Sequence, residues 1–231
     1  MKKNLIFKLC TIMVLCIFIV FLCLGHFSSL NNFISKIEKN SFDLRQTLIS
    51  KYKKANSDIV ILTVDDATYE YIMDKYGSWP ISRKIWAEVI NSLEEVNPKF
   101  LIFDMLFLKP NLSDVTADNK LINAVENNQN VFLSMNFDNY SDDIRKSPIL
   151  DKKFELNIKQ GELKDNEYIN YINARTVMKD LSNATDNIGI ISIIRDSDGI
   201  IREATPIFKY KNNYYPNLSL AVAKKLYNVD T

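Results

Sequence analysis

Asp58-Ile59-Val60-Ile61-Leu62-Thr63-Val64-Asp65-Asp66 reads as a strand buried on both faces. A continuous β-branched run leaves no polar face to give to solvent. A helical stretch starts at Ala67 and gives way to the turn Gly77-Ser78-Trp79-Pro80. Ser82 is the N-cap candidate of a helix that carries Ile85, Trp86, Val89, Ile90 and Leu93. A second strand is expected over residues 99–106, a second helix over 117–127 and a third strand over 130–137. Strand, helix, strand, helix, strand at this spacing predicts right-handed βαβ units and a parallel sheet with covered faces. The expected core on adjacent parallel strands is Ile61, Val64, Leu101, Phe103, Val131 and Leu133. Residues 138–186 are rich in Asn, Asp, Lys and Glu and read as a surface excursion with one or two helices. Residues 187–194 and 200–210 read as strands around the turn Arg195-Asp196-Ser197-Asp198-Gly199, with a last helix over 216–227. The fold class is therefore α/β: a parallel-sheet sandwich with helices on both faces plus a C-terminal β-hairpin, preceded by a transmembrane helix.

That transmembrane helix is read from the start of the chain. Leu5 to Leu24 is apolar but for Lys8 and Thr11. Twenty helical residues span about 30 Å, the thickness of a bilayer's hydrocarbon core. A cleaved signal peptide is the competing reading. Gly25-His26-Phe27-Ser28-Ser29 offers no Ala-x-Ala site, and Leu22 before Cys23 does not suit a lipoprotein signal, so an uncleaved anchor is favoured. Lys2, Lys3 and Lys8 favour the N-terminus inside, although Lys36, Lys39 and Arg45 follow the span. Three segments are expected: an anchor over 1–26, a juxtamembrane helix over 27–54 and a globular domain over 55–231. Within the second, Phe27, Leu30, Ile34, Ile37, Ser41, Leu44 and Leu48 are spaced 3-4-3-4-3-4, a heptad seam with one polar break. The seam either pairs with its copy in a homodimer or packs on its own domain. Phe33 and Phe42 widen the stripe and favour the second reading.

Composition excludes much chemistry. The three cysteines, Cys10, Cys16 and Cys23, all lie in the apolar run, and the one histidine is His26 beside it. The rest of the chain has no thiol nucleophile, no disulfide, no Ser-His-Asp triad and no zinc site of His or Cys. A metal site would need oxygen ligands. Five glycines, at 25, 77, 161, 189 and 199, form neither a dinucleotide fingerprint nor a P-loop. Setting aside the three anchor lysines leaves 26 basic residues against 28 acidic, so there is no electrostatic footprint for nucleic acid. No catalytic residue, cofactor or metal is expected. The role left is sensing or scaffolding.

In open parallel sheets, ligands sit beyond the carboxyl ends of the strands. Asp65 and Asp66 end the first strand, Asp104 lies near the end of the second and Arg83 follows the Trp79-Pro80 turn. Asp65, Asp66, Trp79, Arg83 and Asp104 are the candidate ligand-binding residues. The expected geometry brings at least two of Asp65, Arg83 and Asp104 within about 4 Å, where opposite charges pair. A buried Asp–Arg network that only fixes loops would look the same in sequence. Asp196-Ser197-Asp198-Gly199 has a fragment of calcium-loop spacing, but Asp-Gly between apolar runs reads first as a hairpin turn. A hydrolase using Asp65 and Asp104 lacks any accompanying nucleophile motif.

Several of these pieces, in order, resemble the type-two CHASE domain. They are Phe42-Asp43-Leu44-Arg45, Ile61-Leu62-Thr63-Val64-Asp65-Asp66, Trp79-Pro80-Ile81-Ser82-Arg83, Phe103-Asp104-Met105-Leu106-Phe107 through Pro110, Asp118-x-x-Leu121, Asp196-x-Asp198-Gly199-x-x-Arg202 and Ser219-Leu220-Ala221. The resemblance covers about residues 40–225. It implies an extracellular sensory module of bacterial membrane receptors, with the N-terminus cytoplasmic and residues 27–231 outside. In that family further transmembrane helices and an effector such as a nucleotide cyclase or kinase usually follow. This chain reaches Thr231 without them, so any effector is expected outside it. The expected partners are the membrane, an unidentified small-molecule or envelope ligand and a second copy. The alternative function is a membrane-anchored extracellular scaffold without signalling output.

Overall fold

The computed structural model describes residues 11–20, 28–77, 79–140, 148–159, 161–164 and 167–229. Residues 1–10 and 21–27, and with them most of the expected anchor, lie outside the described residues. Residues 11–20 are helical, and no described helix is long and apolar enough to cross a membrane. The chain divides into two compact units, Met1–Thr63 and Val64–Thr231.

In the first unit, helix α1 runs over Ser28–Ser50. No Pro or Gly interrupts it, which is what propensity requires of a long helix. Its heptad seam is exposed at Ile34, Ile37, Leu44 and Leu48. Ser35, Lys39, Ser41, Phe42 and Asp43 are half-covered. After α1, the β-branched run forms no strand, and Ile61 is 80% exposed. β propensity expresses fit to a pleated, enclosed surface. This run is exposed and joins no ladder among the described residues.

The second unit is a mixed α/β body. Helix α2, Asp66–Tyr76, starts on an Asp65 cap and ends at Gly77, whose φ of 65° is the left-handed conformation a helix stop favours. Helix α3, Arg83–Glu94, starts on Ser82 as expected. Strand β1 is only Leu101–Ile102. Helix α4, Val115–Asn127, packs on α3 and leads into β2, Val131–Asp138. A 3-10 turn over Lys152–Phe154 precedes β3, Ile169–Tyr171, β4, Asn173–Arg175, and the short helix α5, Lys179–Asn183. Strand β5 is Ile188–Ile190, β6 is Ile207–Tyr210 and β7 is Asn213–Pro216. Helix α6, Leu218–Tyr227, is capped by Asn217.

Strands β1 and β5 lie parallel to β2, and β4 lies antiparallel to its far end. The β1–α4–β2 unit is the βαβ crossover expected from sequence. The antiparallel β4 makes the sheet mixed, where a parallel one was expected. A second sheet has the order β3-β6-β7. The C-terminal hairpin exists, but it is β6–β7, turning through Lys211 and Asn212 at φ 48° and 69°. Two consecutive positive φ values are the signature of a type I′ hairpin turn. Residues 196–199 turn as well, yet no β ladder joins their flanks, and Ile193, Ile194, Ile200 and Ile201 stay exposed.

Burial corrects two further expectations. Phe103, Val131 and Leu133 are buried as expected, but Ile61 and Val64 are not. The polar stretch 138–186 is no mere surface excursion, because Phe154, Tyr171, Val177, Met178 and Leu181 enter the core. Phe137 of β2 sits at the junction of the two sheets. Its ring centroid lies 5.2 Å from Tyr210, 5.6 Å from Tyr215 and 6.1 Å from Tyr171. Several of these rings meet edge to face, the arrangement their quadrupoles favour.

Two stability predictions follow from this core. A Cβ added at Gly189 of β5 would meet the Leu218 backbone, with its nitrogen at 2.9 Å. Backbone cannot step aside like a side chain, so Gly189→Ala should cost about 1–3 kcal/mol or more, read as a lower thermal unfolding midpoint. Burial raises the pKa of Tyr171 and Tyr215 above the ordinary phenol value, with Asp138 and Glu155 adding to the shift. A raised folded pKa means the phenols' contribution is full below about pH 10 and is lost as pH climbs through the folded values. The urea midpoint should therefore fall on going from about pH 8 to about pH 11, and Tyr215→Phe should reduce that fall.

Candidate functional site

The carboxyl ends of β1, β2 and β5 carry a belt of paired polar groups. Arg83, in the first turn of α3, forms an ion pair with Asp118 of α4, and the two side chains are 15% and 6% exposed. Its other terminal nitrogen donates to the Lys109 carbonyl. The second Asp118 oxygen accepts the Asn111 amide at 2.6 Å. Met178 donates its amide to the Phe107 carbonyl, and its sulfur lies 3.5 Å from Arg83. One guanidinium thus fastens α3, α4 and the loop leaving β1. A planar fork can hold a carboxylate and a carbonyl at once, which a lysine ammonium does less well.

The expected Asp65–Arg83–Asp104 cluster does not form. Arg83 pairs with Asp118. Asp65 instead caps α2, accepting from the Thr68 amide at 2.9 Å and the Thr68 hydroxyl at 2.6 Å. The Thr68 hydroxyl, then its amide, holds the Asp65 carboxyl below the ordinary carboxylate value. Asp66 is the first helical residue. Asp104 is exposed. Trp79 follows Gly77 and Ser78 and stacks edge-on against Tyr69, with centroids 5.1 Å apart and about half of its surface in solvent. The structure therefore brings Tyr69 to Trp79 and leaves Arg83 in a different network.

Two other charged clusters were weighed as sites. Arg202 reaches Asp196 at 2.5 Å and grips Asp198 with both terminal nitrogens, at 3.0 and 2.8 Å. The two carboxylates of the calcium-like fragment are thus neutralised by an arginine of the same loop. Asp138, at the end of β2, holds Arg175 at 2.9 Å and Asn173 at 3.0 Å. A recess of about 280 Å³ lies at the opposite end of the sheet, beside Phe132 and Ile188. Lys153, Lys224 and Lys225 border it, and Lys153 is paired with Asp186 at 3.0 Å.

The family model described as the CHASE2 domain matches residues 13–230. The chain belongs to the CHASE2 family. CHASE2 domains are sensory extracellular domains of signalling receptors and are not catalytic by themselves. No curated protein and no solved structure matches the chain. Within this CHASE2 domain, Asp118 is the partner of Arg83 that sequence reasoning left unassigned. It stood in the Asp118-x-x-Leu121 helix start, but only tertiary structure shows that helix α4 turns it toward Arg83.

Removing one partner of a buried pair leaves an uncompensated charge. Arg83→Ala and Asp118→Ala should each cost about 3–5 kcal/mol. The double variant should cost clearly less than the sum, because the second change removes a charge already orphaned. Chemical denaturation of the three variants measures this coupling.

Proposed function

We propose that this chain is the extracellular sensory module of a bacterial membrane signalling receptor. Residues 1–26 anchor it, with the N-terminus in the cytoplasm. Residues 27–54 form the helix next to the membrane, and residues 55–231 are the sensor, with any effector outside this chain. The CHASE2 match over residues 13–230 carries this reading. The lysines at 2, 3 and 8 support the orientation.

The ligand is taken to be a small molecule or an envelope component that meets the rim formed by Asp65, Asp66, Tyr69 and Trp79. A half-exposed indole stacked on a tyrosine is a ready-made apolar platform with a polar edge. Asp65, held ionised by Thr68, adds a negative charge at one helix start. Arg83 is the exception among the sequence candidates. Its guanidinium is engaged with Asp118 and Lys109, so its part is to hold the frame on which the rim is built.

Topology is tested first. A reporter enzyme that works only outside the cytoplasm, fused after Thr231, should be active, and a cytoplasm-only reporter at the same point should be silent. The reverse pattern refutes the extracellular assignment. For the rim, a small molecule found by screening to raise the melting temperature should lose that effect with Trp79→Ala and with Asp65→Asn. Asparagine keeps the helix cap while removing the charge, so the ligand-free melting temperature of Asp65→Asn should stay close to that of the parent.

A further inference from the structure

We propose that the heptad seam of α1 pairs in parallel with the same helix of a second copy of this chain. The apolar seam residues of α1 are exposed. Ile34, Ile37, Leu44 and Leu48 are 37%, 53%, 62% and 49% exposed. At 100° per residue these positions and Ser41 fall on one side of α1. A strict 3-4 alternation is the stripe that another helix of the same pattern fits, because a knob every 3.5 residues meets a hole of the same period.

The flanking positions agree with a second copy. Ile34, Ser41 and Leu48 occupy one seam position of the heptad, and Ile37 and Leu44 occupy the other. Glu38 and Arg45 lie on one flank, and Phe33, Asn40 and Thr47 on the other. In a parallel pair, Phe33 faces Glu38 and Asn40 faces Arg45, so no like charges meet. The remaining charges, Lys36, Lys39 and Asp43, point away from the seam. A basic face for lying on anionic lipid is absent from these flanks.

Ser41 sets the register. Its hydroxyl accepts from Arg45 of the same helix at 2.7 Å, so the one polar seam position is satisfied without a partner. In a parallel, in-register pair Ser41 stacks on Ser41, and the polar layer meets itself. An antiparallel pair sets it against an aliphatic residue. A polar residue at one seam position selects register in this way, at some cost in stability. The parallel direction also rests on the anchored reading above, since two chains tethered at the same end rise from the membrane side by side.

The test uses the full chain purified in detergent, so it does not depend on topology in the cell. Cys10, Cys16 and Cys23 are replaced by serine, and single cysteines are placed at 34, 37, 44 and 48 in the seam and at 36, 39 and 46 off it. On mild oxidation, all four seam positions should give a disulfide-linked dimer several-fold more readily than the three others. Equal linking at both sets, or none, overturns the seam. Linking at one seam position alone overturns the parallel arrangement. As a second measurement, the Ile37→Glu, Leu44→Glu double variant should halve the protein mass found by light scattering, while Lys36→Glu should leave it unchanged. Both seam residues are exposed in the single chain, so the double variant should melt at the same temperature as the parent monomer unit. A parent chain that is monomeric, or a double variant that stays dimeric, refutes the proposal.

Discussion

Strand β2 holds three neighbours at once, with β1 and β5 parallel to it and β4 antiparallel at its far end. Every residue of Val131–Asp138 except Asn136 is buried. A strand enclosed on both faces can keep a polar group only if that group is paired. Ser134 donates to the Phe103 carbonyl, and Asp138 holds Arg175 and Asn173. Next to it, Ser192 accepts the Phe137 amide at 2.6 Å, which ties the exit of β5 to the same strand. The paired polar groups of β2 therefore decide where the three loops at its carboxyl end leave the sheet. Phe137, one residue before that end, joins the same strand to the second sheet through aromatic contacts.

Local chemistry was legible where one residue type had one use. Ser82 had to cap α3, and the apolar period of residues 85–93 had to form a helix. The β1–α4–β2 crossover followed from two apolar runs around an amphipathic helix. Residues 58–64 were misread because a strand is a relation between segments. They are as apolar as β2 and richer in β-branched residues, and nothing local says which run acquires neighbours. The stretch 138–186 was misread for the opposite reason. Its polar composition outweighed scattered buried residues such as Phe154, Leu156 and Tyr171, which keep no sustained period for a pattern to detect. The site showed the same split. Asp65 was visible as a strand end and Asp118 as a helix start, but which of them met Arg83 depended on how α3 lies against α4.

The two arginines in the stretches that resemble the family motif, Arg83 and Arg202, have the same kind of job. Each bridges two acceptors, Asp118 and the Lys109 carbonyl in one case, Asp196 and Asp198 in the other. Each does so on a loop that a sheet edge alone would leave unfixed. A side chain held by two acceptors with little exposure has few donors left for a ligand, and freeing it would strand the carboxylates. Motif arginines in this fold thus act as loop fasteners. In the proposed reading recognition falls to groups whose surfaces face solvent, and Trp79 on Tyr69 meets that description. Trp79 stands close before the Ser82 cap of α3, the helix that Arg83 fastens to Asp118. On that reading Arg83 acts on the rim only through α3, which is how a structural network and a sensing surface can share one motif.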